Sequence, residues 1–270
     1  MLIDAFAVDL FDRLDARARK LDAGRQLHVL VDGAFHPGLH RFIEDDDKAL
    51  LFSLRPGCSD EAKAVSPFVT PYVPNCQRLK ALLQRCSEWP MLSVIETSES
   101  FGELAARLAA WCVVDADSQR FNFRFADTRR LPGMYTVLNP EQRAGFAGPA
   151  TSWLYVNRHG QWEAFECRGN GAEQMIDPQL DDRQFAQLVD DSKADELLVL
   201  LRDRGHDVFD TPSKSHALLS TALRAADREK LADDDVLAWC ETFWKAGKLH
   251  DDTAAASLLA GWRTTSDSRS

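Results

Sequence analysis

The chain reads as an α/β protein: a mixed-sheet N-terminal lobe with flanking helices, followed by a smaller all-helical C-terminal lobe. Three observations predict this. Short apolar strand-like runs alternate with helical patterns up to about residue 165, as in a sheet covered by helices. Beyond Gly169-Asn-Gly171 only helical periodicity remains. Charge divides at the same place: residues 1–165 carry a net −2 and residues 166–270 a net −8, out of −10 for the 270-residue chain. The expected domains are 1–168 (α/β), 176–264 (helical) and a disordered tail at 265–270.

Ile3, Phe6, Leu10, Leu14 and Leu21 recur at helical spacing, which predicts an amphipathic helix over 2–21 ended by Gly24. LHVLVDGAF (27–35) reads as a strand that delivers Asp32 at its end. Pro37 opens a short helical turn running into the acidic run Glu44 to Asp47, and 50–54 reads as a strand closed by Pro56-Gly57. The prolines of SPFVTPYVP keep 66–74 extended. Asn75 is placed to cap a helix reaching about Ser87. Residues 91–95 form a strand. Ser100 and Glu103 make a capping box for a helix that carries Leu104, Leu108 and Trp111.

Phe121, Phe123 and Phe125 alternate with Asn122, Arg124 and Ala126, the period of a half-buried strand over 121–125. That pattern places Arg124 opposite the phenylalanines, under a helix. A helix is expected near 130–138 and a short turn from Asn139-Pro140-Glu141 to Gly148-Pro149. Residues 153–156 and 162–165 flank Asn-Arg-His-Gly as a hairpin bent at Gly160. The helical lobe is read from Phe185, Leu188 and Val189, then Leu197, Leu198 and Leu201, then Leu218, Leu219 and Leu223. An acidic helix start at 233–235 and a last helix over 253–262 complete it.

Composition narrows the function. An apolar content of 45% with 27% charged residues describes an ordinary globular chain. The acidic second part repels a phosphate backbone, which argues against nucleic acid. No apolar run reaches membrane-spanning length, and the start, with Asp4 and Asp9 inside its apolar stretch, does not read as a signal peptide. Six scattered cysteines without a close pair read as reduced thiols rather than a disulfide framework.

Three constellations carry chemistry. Asp32, Arg124, Asp127 and Arg129 gather at strand ends. They suit an acid/base or anion-handling pocket, or a structural charge network, and the structural role is the reading adopted because a buried carboxylate needs a partner. His36, His40 and Glu44 at i, i+4 and i+8 share a helix face beside Asp32. They lack the glutamate beside the first histidine that a zinc-peptidase helix needs, so no metal or other cofactor is expected. Trp239, Phe243, Trp244 and Trp262 are aromatic for a small lobe; packing accounts for most of them, and an exposed subset would anchor a protein partner. No nucleophile elbow, P-loop or dinucleotide fingerprint occurs.

LHVLVDGAF (27–35), LLFSL (50–54), SPFVTPY (66–72), SFGELAARL (100–108), FRFADTRRL (123–131) and FAGPATSWL (146–154) occur in the order and at the spacing of one family. The chain resembles the type VI secretion effector chaperones or adaptors, which share a domain formerly of unknown function. Where that family usually shows Arg-Phe-Tyr-Asp-Pro-Arg, this chain has Ala126 and Thr128 in place of tyrosine and proline, a change expected to loosen the loop. The resemblance implies a non-enzymatic protein of the bacterial cytoplasm. Such a protein binds a toxin effector and helps load it onto the VgrG/PAAR spike, with a groove near the Asp32 and Asp127 strand ends and a second surface on the helical lobe. Two alternatives stand beside it. One is a metal-assisted or acid/base hydrolase using Asp32, His36, His40 and Asp127; the other is a toxin-binding immunity protein.

Overall fold

The computed structural model describes residues 1–168, 178–247 and 252–267. It divides into two compact units, Leu2–Asp190 and Asp191–Ser270.

The first unit is built on β1 (Gln26–Val31), β2 (Ala49–Leu50), β3 (Phe68–Pro71), β4 (Leu92–Thr97), β7 (Ser152–Val156) and β8 (Trp162–Glu166), in the spatial order β2-β3-β1-β4-β7-β8. Every pairing in this sheet is antiparallel. β5 (Val113–Ala116) and β6 (Gln119–Asn122) form a separate two-stranded hairpin.

Both faces of the sheet are covered. On one face, Leu30, Ile95, Trp153 and Tyr155 pack with α4 (Phe101–Ala110), α5 (Leu131–Val137) and α6 (Pro140–Ala147). On the other, Val29, Val31, Val94 and Leu154 pack with α1 (Leu10–Ala18) and α3 (Gln77–Leu83). β1 is therefore buried on both sides from Leu27 onward. This explains why an antiparallel strand reads as a near-continuous apolar run rather than an alternation. His28 shares that burial: its ring stacks on Phe101 at 6.0 Å, and burial pushes its pKa down, partly opposed by Glu99. Burial thus favours the neutral imidazole.

Local signals set several boundaries. The expected capping box at Ser100 is present, with Glu103 reciprocating, and a second one at Asn139 and Gln142 starts α6 with Pro140 in its first turn. At the β7–β8 turn Gly160 has φ +67°, and a Cβ there would lie 2.0 Å from the Ala5 carbonyl oxygen. No side chain fits between that turn and the N-terminal segment.

Other elements differ from the sequence reading. The amphipathic helix expected over 2–21 forms only as α1. Residues 2–7 are instead bonded to other segments: the Leu2 and Ile3 N–H groups donate to Glu88 O, Asp4 to Arg158 O and Ala7 to Gly160 O. Partners outside the segment replace the helical ladder. Residues 51–54 form a 3₁₀ turn after a two-residue strand, not a strand. Asn75 does not cap α3; it adopts φ +59°, and Cys76 precedes the helix. The 121–125 strand is displaced toward the N-terminus as β6, so Phe123 and Phe125 enter the core from a turn.

The helical pattern around Phe185 becomes α7 (Asp182–Asp190), which belongs to the sheet unit rather than to the helices after it. Gln184 Nε2 donates to Val137 O at 3.0 Å and to Gln142 Oε1 at 2.6 Å, while Phe121 and Phe185 rings meet at 4.6 Å. The boundary expected at 168–180 thus falls ten residues or more too early, and residues 169–177 lie outside the described set.

The second unit contains α8 (Lys193–Asp203), α9 (Pro212–Arg228), α10 (Asp233–Ala246) and α11 (Asp252–Asp267). Leu201, Leu219, Ala222, Cys240 and Leu259 lie in its core. Glu241 of α10 accepts from Lys245, His206 and Arg204, and these hydrogen bonds hold its carboxyl down to about 2. Helix α11 continues to Asp267, three residues into the expected tail; residues 268–270 lie outside the described set.

Phe146 is fully buried, with ring contacts to Trp111, Phe123, Phe125 and Trp153 at 4.9 to 6.1 Å. Phe146→Ala is expected to destabilise the first unit by about 3–5 kcal/mol in denaturant titration, the cost of a cavity no neighbour can collapse into.

Candidate functional site

β1 ends at Val31, and the Asp32 N–H donates to Met91 O at 2.9 Å at the entrance to β4. The turn after β6 reaches the same segment, where the Thr128 N–H donates to Pro90 O at 2.9 Å. Two chain segments far apart in sequence are thus fastened to Pro90-Met91, which brings Asp32 and Asp127 into one neighbourhood. Thr128 supplies an N–H that proline lacks, and Ala126 is buried, so these two residues pin the loop they were expected to loosen. Gly33 completes the approach: a Cβ there would sit 2.3 Å from the Ser66 carbonyl oxygen.

Asp32 and Asp127 are both buried, at 2% and 1% exposure. Asp32 Oδ1 accepts from the Ala34 N–H at 3.0 Å, and Oδ2 accepts from Arg124 Nη2 at 3.0 Å. Burial raises the Asp32 pKa and the neighbouring Asp127 charge adds to the rise; Arg124 and the Ala34 amide offset only part of it. Asp127 is held by Arg129, through Nε at 3.1 Å, Nη2 at 2.7 Å and the Arg129 backbone N–H at 3.1 Å. The two guanidinium groups lie over the Phe35 ring, at 5.2 Å for Arg124 and 5.6 Å for Arg129, and Phe35 in turn packs on Trp89.

The four charges expected together therefore do come together, as two ion pairs joined through an aromatic ring. Arg124 departs from expectation in one respect. Its side chain is 46% exposed rather than covered by a helix, because the strand that would have turned it inward ends at Asn122.

Beside Asp32 and Arg124 lies a cavity of about 230 Å³, walled mainly by Phe52, Val65, Pro67 and Phe123. Such a site takes an apolar side chain and offers the guanidinium to a carbonyl or carboxylate at its rim. Each Asp32 oxygen accepts one hydrogen bond, from the Ala34 amide and from Arg124.

The histidines do not assemble. Residues 39–42 form a 3₁₀ turn that excludes His36, His40 is buried edge-on against Phe68, and Glu44 pairs with Arg78. Burial, with Lys48 and Arg41 nearby, lowers the His40 pKa. Among the described residues no group of three or more His, Cys, Asp or Glu side chains has metal-binding geometry.

Of the aromatics proposed as partner contacts, Trp239 and Phe243 are core residues at 1% exposure, with Trp239 Nε1 donating to Ala222 O. Trp244 and Trp262 are half-buried against the same core. Apolar periodicity at i and i+4 marked this packing face, not a surface.

Two buried charge clusters escaped sequence reasoning. Arg107 of α4 pairs with Glu99 at 2.6 and 2.7 Å and donates to Phe146 O, and Gly148 leaves room for its guanidinium. Asp15 of α1 pairs with Lys80 and accepts from Tyr72 Oη at 2.7 Å and from Asn75 N at 3.1 Å. Burial raises the Asp15 pKa, but these three donors outweigh it and leave it lowered. A charged residue lodged inside each helix's apolar stripe was the available signal.

Residues 27–145 match the family model described as a domain of unknown function (DUF4123). No curated protein and no solved structure matches the chain. The matched segment runs from β1 into α6 and holds Asp32, Arg124, Asp127, Arg129, Phe35 and the 230 Å³ cavity; the helical unit lies outside it.

A group whose folded pKa is raised stabilises most below its unfolded value and loses that contribution as pH rises through the folded value. Asp32 is such a group, so wild type is expected to lose stability relative to Asp32→Asn as pH climbs above the ordinary carboxylate range. Denaturant midpoints of both proteins from pH 4 to 8, on the order of one midpoint per pH unit, check the sign.

Thiol chemistry gives a second check. Cys86, Cys112 and Cys240 are pushed by burial to about 12 and Cys167 to about 11, whereas Cys58 and Cys76 are half-exposed. Mass spectrometry after brief native alkylation should find label at Cys58 and Cys76, with the other four modified only on unfolding.

Proposed function

We propose that this protein is a non-catalytic adaptor of the bacterial cytoplasm that binds a type VI secretion toxin effector and assists its loading onto a VgrG/PAAR spike. The observation that carries the reading is the DUF4123 match over 27–145, the stretch that holds most of the motifs shared with effector-loading adaptors. The geometry supports it on a separate ground. Each carboxylate at the sheet end is held by an arginine and a backbone amide, which suits a rigid scaffold.

Within this reading Arg124 is the group most able to meet a partner, being charge-paired, half-exposed and set beside an apolar cavity. Absence of a helix long and apolar enough to cross a membrane, among the described residues, is compatible with it.

Co-expression with a candidate toxin effector from the same genome is the direct test. Affinity-tagged protein should retain the effector through gel filtration, and deletion of the adaptor should abolish effector export while spike assembly continues. Protection of cells against the toxin by this protein alone would favour the immunity reading instead, and stoichiometric zinc or manganese in purified protein would favour a hydrolase.

A further inference from the structure

A second cavity, sharing no lining residue with the one beside Asp32, lies where the sheet runs out at its β2 edge. It measures about 210 Å³ and is floored by Ile43, Pro71, Leu79 and Leu82. Phe42 and Val73 stand at its margins, each more than half exposed, at 52% and 54%. Small-molecule sites usually need about 300–1,000 Å³. This one is smaller, open and mostly apolar, proportioned for side chains of a partner chain.

The local backbone bears on how a partner binds. β2 pairs only with Phe68 and Val69 of β3, so the outer edge of β3 is uncovered beyond Val69. The Tyr72 N–H turns inward to Leu27 O, which leaves Pro71 as the next outward residue, and proline has no N–H to offer. A strand added here would find the Pro71 carbonyl but no N–H beside it, so backbone pairing is weak. A partner is better read by its side chains, as a helix lying in a groove is read.

The rim selects charge. Glu44 and Asp47 line the groove; Glu44 is taken up by Arg78 and Asp45 by Lys48 at 2.7 Å, which leaves Asp46 and Asp47 as the acids of this run without an ion pair among the described residues. Arg78, the basic lining residue, is engaged by Glu44 at 3.0 Å. Asp47 is exposed, and the side of the groove it occupies is negative.

We propose that this groove docks an amphipathic helix of a partner protein, with apolar residues on one face and lysine or arginine beside them. Val73 and Phe42, whose ring already carries the Arg85 guanidinium at 4.4 Å, flank the apolar face, and Asp46 and Asp47 pair with the cations. The inference rests on the adaptor reading for the identity of the partner, an effector segment, but the groove's preference is a property of this chain alone.

The probe is a fluorescein-labelled synthetic helix of about four turns with leucines at i, i+3, i+4 and i+7 and lysines flanking them. Anisotropy titrations compare wild type, the double variant Phe42→Glu with Val73→Glu, and Asp47→Lys, each checked for native circular dichroism and an unchanged denaturation midpoint. Binding to wild type, weakened about tenfold or more in both variants, supports the groove; so does failure of the same helix with glutamates in place of its lysines. No binding to wild type, or equal binding by the double variant, overturns it.

Co-purification with the effector separates the two readings. Effector held by wild type and lost from the double variant supports both. Effector held equally by the two overturns the groove and leaves the adaptor standing. If wild type holds no effector, the adaptor reading fails and the peptide titration alone decides the groove.

Discussion

Burial of β1 on both faces is the constraint on which the sheet unit depends. A strand covered by helices on two sides has no wet face, so each of its side chains must be apolar or lose its charge. Val29, Leu30 and Val31 satisfy this directly, and at His28, stacked on Phe101, burial disfavours the charged ring. The first position at which a carboxylate is tolerated is Asp32, one residue past the strand, where a backbone amide and a guanidinium are both within reach.

The same constraint explains how charge is used elsewhere in this unit. Asp15, Glu99, Arg107 and Asp127 are all drawn out of water, and each meets an opposite charge together with a backbone or hydroxyl group. Removing one partner from such a cluster leaves the other buried and uncompensated, which costs far more than the intact pair contributes. Such clusters therefore specify how α1, α4 and the Asp127 loop seat on the sheet more than they add stability. On the adaptor reading proposed above, such rigidity leaves the ordering costs of binding to the partner.

Much of the fold was legible in the sequence because it was written in local chemistry. Proline and glycine punctuation marked the hairpin at Gly160 and the extended 68–71 strand, and the Ser100–Glu103 box marked α4 to the residue. Reading failed where distant partners compete with local pattern. Residues 2–7 have helical periodicity, yet their N–H groups find carbonyls at 88, 158 and 160. Phe123 and Phe125 alternate as a strand would, yet they enter the core from a turn pinned by Thr128 to Pro90. Phe185 has the pattern of the following helices, but Gln184 and Phe185 bind the sheet unit.

The residue types of the candidate site, its acidic strand end and its neighbouring arginines, were determined by sequence alone, as were the α/β class and the helical second part. Only the tertiary structure decided which arginine serves which carboxylate, that Arg124 faces outward, that Trp239 and Phe243 lie in a core, and that an acidic-rimmed groove opens at the β2 edge. The reason is physical. Periodicity and capping act over one or two turns, whereas ion pairing and burial are settled between segments separated by tens of residues, where one-dimensional order carries no distance information.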